Sequence, residues 1–254
     1  MLILRFLSSI AFIMCISITF AQSISLDDTD SNDVKVLFRK EKSAFLMIHT
    51  GGFGIGYRNG KHITGYKKRM LEFELTGMKH PKEIRTVYPN DNNSKSYIYG
   101  KENALFILRT GIGKQKIVNS KPYWGGVELR YFYYGGLSAG LLKPVYLYVL
   151  HLTNTPNLYN LSLEKYDPDK HFQENIYGRA PFFHGFDKIK PLPGLYFKTG
   201  LNFEYGTNDT SVRSLETGIT VDAYIKPVPI MAFNENKNIF ISLYISFHFG
   251  SRRN

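Results

Sequence analysis

The sequence predicts an all-β protein: an antiparallel transmembrane β-barrel of about eight strands, behind a cleaved N-terminal signal peptide. Three observations predict it. The first 21 residues have the order of an export signal. Several later segments alternate apolar and polar residues over the length of a tilted membrane strand. Past the signal, no stretch stays apolar for the roughly 18 residues that a membrane helix needs.

The export signal is read from its parts. Arg5 supplies the positive charge, and an apolar run follows from Leu7 through Ile10, Phe12, Ile13, Ile16 and Ile18 to Phe20. Thr19 and Ala21 place small residues three and one positions before Gln22, which sets the expected cut after Ala21. Acidic sequence comes next (Asp27, Asp28, Asp30, Asp33), unlike the flank of a membrane anchor. The single cysteine, Cys15, lies within the signal, preceded by Ile13 and Met14 rather than the small residues of a lipoprotein site. A mature chain without thiols has no disulfides, no thiolate metal site and no cysteine nucleophile. The expected division is signal 1–21, a periplasmic segment 22–42, a barrel over 43–249 and a short tail 250–254.

The strands follow by period two, because successive side chains point to opposite faces. In the last one, Ile239, Ile241, Leu243, Ile245, Phe247 and Phe249 share a face opposite Phe240, Ser242, Tyr244, Ser246 and His248. Runs at 195–205 and 215–226 repeat the pattern. Noisier ones lie at 71–76, 105–112, 127–134 and 143–153. Ser43 to Tyr57 reads as one first strand, apolar on both faces and rich in glycine at its end. That makes eight, an even number that returns the chain to the side it started from. The polar faces carry Glu72, Glu74, Arg109, Glu128, Arg130, Lys198, Glu204, Asp222 and Lys226. Mixed signs suit a paired network filling a narrow eight-stranded interior. A soluble periplasmic sandwich also alternates, with such charges on its solvated face, but the mixed signs weigh against that picture.

The signal peptide, the stretch Lys226-Pro227-Val228-Pro229-Ile230-Met231 and the closing run Ile241–Phe249 with its tail Gly250-Ser251-Arg252-Arg253-Asn254 carry a resemblance. The chain resembles the small outer-membrane β-barrels of Gram-negative bacteria, of the Bacteroidota type. The resemblance implies outer-membrane localisation. It also implies that Phe247 and Phe249 form the terminal aromatic signal read by the barrel-assembly machinery. The tail past Phe249 departs from barrels that stop at the aromatic.

With both ends periplasmic, this strand assignment turns the connections near 58–65, 115–123, 150–192 and 227–237 outward. Those near 78–103, 135–140 and 206–213 then face inward, the first of them too long for a periplasmic turn. The net charge of +11 falls to +10 once Arg5 leaves with the signal. Basic residues gather in connections: Lys79, Lys82, Arg85; Lys114, Lys116, Lys121; Lys188, Lys190; Arg252, Arg253. They suit membrane lipid, anionic lipopolysaccharide or an acidic envelope partner. Nucleic acid is excluded by the compartment.

One constellation points to chemistry. His151-Leu152-Thr153-Asn154, with Glu164 thirteen residues on, resembles the His-x-Ser-Asn pattern of outer-membrane lipid A deacylases, with threonine in place of serine. That resemblance implies a base, a nucleophile and an orienting carboxylate. The strand phase, however, turns His151 inward. The scattered histidines give no metal spacing, and no cofactor motif is present. The expected function is therefore a structural or interaction barrel, such as an accessory subunit of an envelope machine, rather than an enzyme. A channel for small solutes or hydrophobic molecules is the alternative.

Overall fold

The structure, a computed structural model, describes residues 39–88, 94–121, 126–152, 159–206 and 210–253. The expected signal, its cleavage site and most of the segment up to 42 lie outside them. Among the described residues, thirteen strands run in chain order: β1 (Lys40–His49), β2 (Gly52–Thr64), β3 (Lys67–Met78), β4 (Arg85–Thr86), β5 (Tyr97–Ile98), β6 (Asn103–Asn119), β7 (Glu128–Pro144), β8 (Tyr146–Leu152), β9 (Tyr159–Lys165), β10 (Ile176–Arg179), β11 (Lys190–Glu204), β12 (Ser211–Val228) and β13 (Lys237–Arg253). Eight of them close an antiparallel barrel in the order β1-β13-β12-β11-β7-β6-β3-β2. The other five form two small sheets, β4-β5 and β10-β8-β9, in the connections.

The count of eight agrees with the sequence reading, but two of its strands do not. Ser43–Tyr57 is a hairpin, β1 and β2 turned at Thr50-Gly51. Its inward side chains are odd-numbered in β1 (Phe45, Met47, His49) and even-numbered in β2 (Gly54, Arg58, Gly60). A parity switch in mid-run makes both faces look apolar, which hid the turn. Glycine permits it: a Cβ on Gly52 (φ +156°) would collide with the Gly77 carbonyl. The run 143–153 is divided between the end of β7 and β8, which pairs with β9 and β10 rather than with the wall. Merging one pair of strands and adding one strand cancelled in the total.

The sidedness changes with them. Residue 40, the connections 65–66, 120–127 and 205–210, and residue 253 share one end of the barrel. The turn at 50–51 and the connections 79–102, 145–189 and 229–236 share the other, where β4, β5, β8, β9 and β10 build a crown. The 78–103 connection thus lies beside 150–192, not across from it, which removes the overlong periplasmic turn. The barrel boundaries also shift. β1 begins at Lys40, and the tail 250–253 is strand, with Lys42 opposite Ser251 and Lys40 opposite Arg253.

The outer wall is apolar. Ile241 is 69% exposed, Leu195 63% and Leu46 59%, and Phe73, Ile112 and Leu137 continue the belt around the barrel. Water would disfavour so continuous a surface, whereas hydrocarbon accepts it. Inside, side chains fill the bore in three layers. Charges occupy the end at which β1 starts and β13 finishes. Aromatics and charges fill the middle, where Phe45, Phe132, Tyr134, Tyr196 and Tyr244 cluster. An apolar plug of Met78, Leu105, Ile107, Leu142, Tyr224, Val228, Ile230 and Met231 closes the crown end.

Candidate functional site

The lumen holds the largest constellation of charged groups. Period two turns every second residue of the wall inward, and the barrel's small radius brings opposite strands within side-chain reach. Arg109 on β6 grips Asp222 on β12 with two parallel bonds, Nε to Oδ1 at 2.8 Å and Nη2 to Oδ2 at 2.7 Å. It also pairs with Glu74. Lys198 Nζ donates to Glu74 at 2.9 Å and to Glu72 at 3.0 Å. Arg58 then joins Glu72 to Glu216, donating to the latter at 2.8 and 3.0 Å. The result is an alternating relay, Asp222–Arg109–Glu74–Lys198–Glu72–Arg58–Glu216. Every member is 0–2% exposed. Tyr244 and Asn202 donate to Glu216, and Ser138 donates to Asp222, so the carboxylates at the two ends of the relay gain neutral donors as well.

Aromatic faces flank two of the relay's three cations, Arg58 and Lys198. The Arg58 guanidinium lies 4.8 Å from the Tyr134 ring and 5.4 Å from that of Phe45. Lys198 lies 4.7 Å from Tyr244. Phe45 in turn stacks on His248 at 4.6 Å. Gly56 makes the room, since a Cβ there would press into the Phe45 ring.

A second network lies nearer the termini. Lys68 donates to Glu41, Arg252 bridges Glu41 and Glu204, and Arg130 joins Glu204 to Glu128. Of the nine polar-face charges named from sequence, Glu72, Glu74, Arg109, Lys198 and Asp222 enter the first network. Glu128, Arg130 and Glu204 enter the second. Glu41, Arg58, Lys68, Glu216 and Arg252 were missed. Glu216 has the parity of Asp222 and was within reach of the period-two rule. Arg58 was concealed by the unseen hairpin, and Glu41, Lys68 and Arg252 by strands drawn too short. Lys226 is exposed at the crown rim, outside both networks. Phe247 and Phe249 lie on the outer wall of β13, opposite Leu46 and Ala44 of β1.

The crown holds the candidate chemistry. His151 is not inward on the wall but exposed on β8, with Nε2 2.6 Å from Glu164 Oε1 across the β8-β9 pair. Ser162 Oγ donates to the same oxygen at 2.6 Å. His171 Nδ1 accepts the Asp167 N–H at 2.9 Å, so its Nε2 carries the proton facing Glu164 Oε2 at 3.2 Å. The hydrogen bond from Ser162, followed by those from His151 and His171, holds the Glu164 carboxyl down at about 2. Thr153 and Asn154 lie outside the described residues. Among the described ones, the only hydroxyl at this cluster donates to the carboxylate rather than to an imidazole. The arrangement clips β9 to the turn at 167–171. Among the described residues, no group of histidines and carboxylates has metal-ligand geometry.

No protein-family model and no curated protein sequence matches the chain. Among solved structures, Neisserial surface protein A is similar at 11% identity, over 85% of this chain and 96% of that one, with a TM-score of 0.41. Ail, the attachment invasion locus protein of Yersinia pestis, is similar at 7% identity, over 85% and 99%, with a TM-score of 0.39. The N-terminal β-barrel domain of Pseudomonas aeruginosa OprF follows at 11% identity, over 83% and 96%, with a TM-score of 0.34. The barrel assignment itself rests on this chain's own strand pairing.

Proposed function

We propose that the chain is an integral outer-membrane barrel that works as a structural or interaction protein through its crown, not as a conduit. One observation carries the reading: the bore is filled from end to end. The relay's charges are buried and paired, and the apolar plug seals the crown-side mouth. A conducting barrel needs a continuous wet path, and eight strands leave none once side chains occupy the interior. The membrane part of the reading is supported by the apolar wall. No described helix is long and apolar enough to cross a bilayer, so strands are the spanning elements available. Short connections on the side of the termini and long ones at the crown give the crown an outward orientation. There it presents exposed Phe183, Phe233 and Ile84 beside Lys79, Lys82, Lys188 and Lys190. That mixture suits lipopolysaccharide or an envelope protein partner. In this reading Phe247 and Phe249, on the outer wall of the last strand, serve as the aromatic signal for the assembly machinery.

Two measurements test the reading. Outer-membrane fractions run on gels with and without boiling should show a heat-dependent mobility shift of a detergent-resistant barrel. Liposomes containing the purified protein should not swell in isotonic sugar. Recovery from the soluble periplasm without a shift would remove the membrane assignment, and solute-selective swelling would favour the channel.

A further inference from the structure

The outer wall carries a second charged feature, opposite in character to the lumen. Arg253, Lys40, Lys61, Arg69 and Lys114 stand directly opposite one another in consecutive cross-strand register, across β13, β1, β2, β3 and β6. All five point outward and are exposed. Lys67 faces Lys116 in the adjoining row. Like charges directly opposed across a sheet repel, and none of these side chains has an ion pair with an acidic partner among the described residues. An anion from outside the chain would relieve the repulsion among five cations in one row.

The same strands carry a cavity just inside the belt. An open apolar groove of about 510 Å3 is lined by Ala44, Leu46, Ile55, Tyr57, Phe73 and Phe249 among others. It exists because Ala44 sits in register between two aromatics, Phe249 and Tyr57. The small side chain leaves a notch between large ones. Residues two apart on a strand are about 7 Å apart, so the row of cations begins about two such steps from the groove floor, with Lys42 between them.

We propose that this face binds anionic glycerophospholipids, their phosphates along the Arg253–Lys40–Lys61–Arg69–Lys114 ladder and an acyl chain in the Ala44 groove. Charge alone would accept any acidic surface. The adjoining apolar groove selects an amphiphile. The position of the ladder, at the end bearing Lys40, Arg253 and the short connections, places it at the leaflet opposite the crown. The site rests on the membrane reading above, and the test separates the two.

The full-length protein is folded in neutral detergent micelles doped with equal phosphatidylglycerol and phosphatidylcholine, and retained lipids are counted by native mass spectrometry. Wild type should keep phosphatidylglycerol preferentially, and added sodium chloride should erode the preference. K61Q/R69Q/K114Q should reduce it by about tenfold or more. Ala44→Trp, which fills the notch with the cations intact, should lower total lipid retention. Equal retention of both lipids by the wild type, or a preference indifferent to salt, overturns the proposal even if the triple variant fails to fold. Displacement by inorganic phosphate beyond the effect of chloride at equal ionic strength would assign the ladder to free phosphate instead. A wild type with no heat-dependent shift fails as a membrane barrel, which is a different failure from a shifting barrel that shows no lipid preference.

Discussion

The lumen and the crown both set carboxylates against cationic or imidazole partners, yet the two arrangements bear differently on the protein. In the lumen, Glu72, Glu216 and Asp222 are fully buried, and water cannot replace a lost partner. In the crown, the Glu164 side chain is 36% exposed and that of His151 is 52% exposed. Solvent there screens the pair and stands in for either member. The difference teaches that burial, rather than short distance, decides whether an ion pair holds a fold together. The His151–Glu164 contact is as short as many in the relay.

The largest effect expected from this contrast is that of Arg58→Leu. It strands Glu72 and Glu216 without their shared guanidinium, at a cost of about 3–5 kcal/mol. Urea unfolding in lipid, followed by the heat-dependent gel shift, should show it. A loss as small as that of a crown substitution would break the comparison. Next comes Ile245→Arg, on the wall near the middle of β13, expected to cost about 2–4 kcal/mol in bilayers. The same assay checks it, and no loss would mean that this face does not meet hydrocarbon. Gly56→Val should cost about 1–3 kcal/mol by pressing on Phe45. Its effect should be relieved in a Phe45→Leu background, which double-mutant unfolding would measure.

The smallest effect belongs to the crown. Glu164→Gln should change stability by under about 1 kcal/mol, in keeping with an exposed pair. Its pH signature has a definite sign. The carboxyl is held at about 2 against an ordinary 4.5, so its contribution is present above about 4.5 and fades as pH falls from there toward 2. Protection of the β8 and β9 amides from hydrogen exchange, corrected for the intrinsic pH dependence of the exchange rate, should fall over that acidic window in the wild type and show no such step in Glu164→Gln. Equal pH dependence in both would remove Glu164 as the cause.

Where the sequence reading succeeded and failed follows from what local pattern can carry. Six of the eight wall strands were visible because one side of each meets an apolar medium and the other a polar interior, a contrast written every second residue. The hairpin at Thr50-Gly51 was invisible because a two-residue turn switches parity without leaving the apolar run. β8 was mistaken for wall because alternation marks a strand but not the sheet it joins. The candidate site followed the same lines: Asp222 and Lys198 lie on well-marked strands, whereas Arg58 needed the hairpin.

The sequence by itself determined the all-β class, the alternation of wall and lumen, and the residue types that would face each way. Those follow from backbone geometry and the partition of side chains between media, both local. Only the tertiary structure decided which carboxylate meets which cation, that both long connections share one end, and that five cations from five strands stand in a single row. These depend on register between strands far apart in the chain, and register is set by closure of the whole barrel rather than by any one segment.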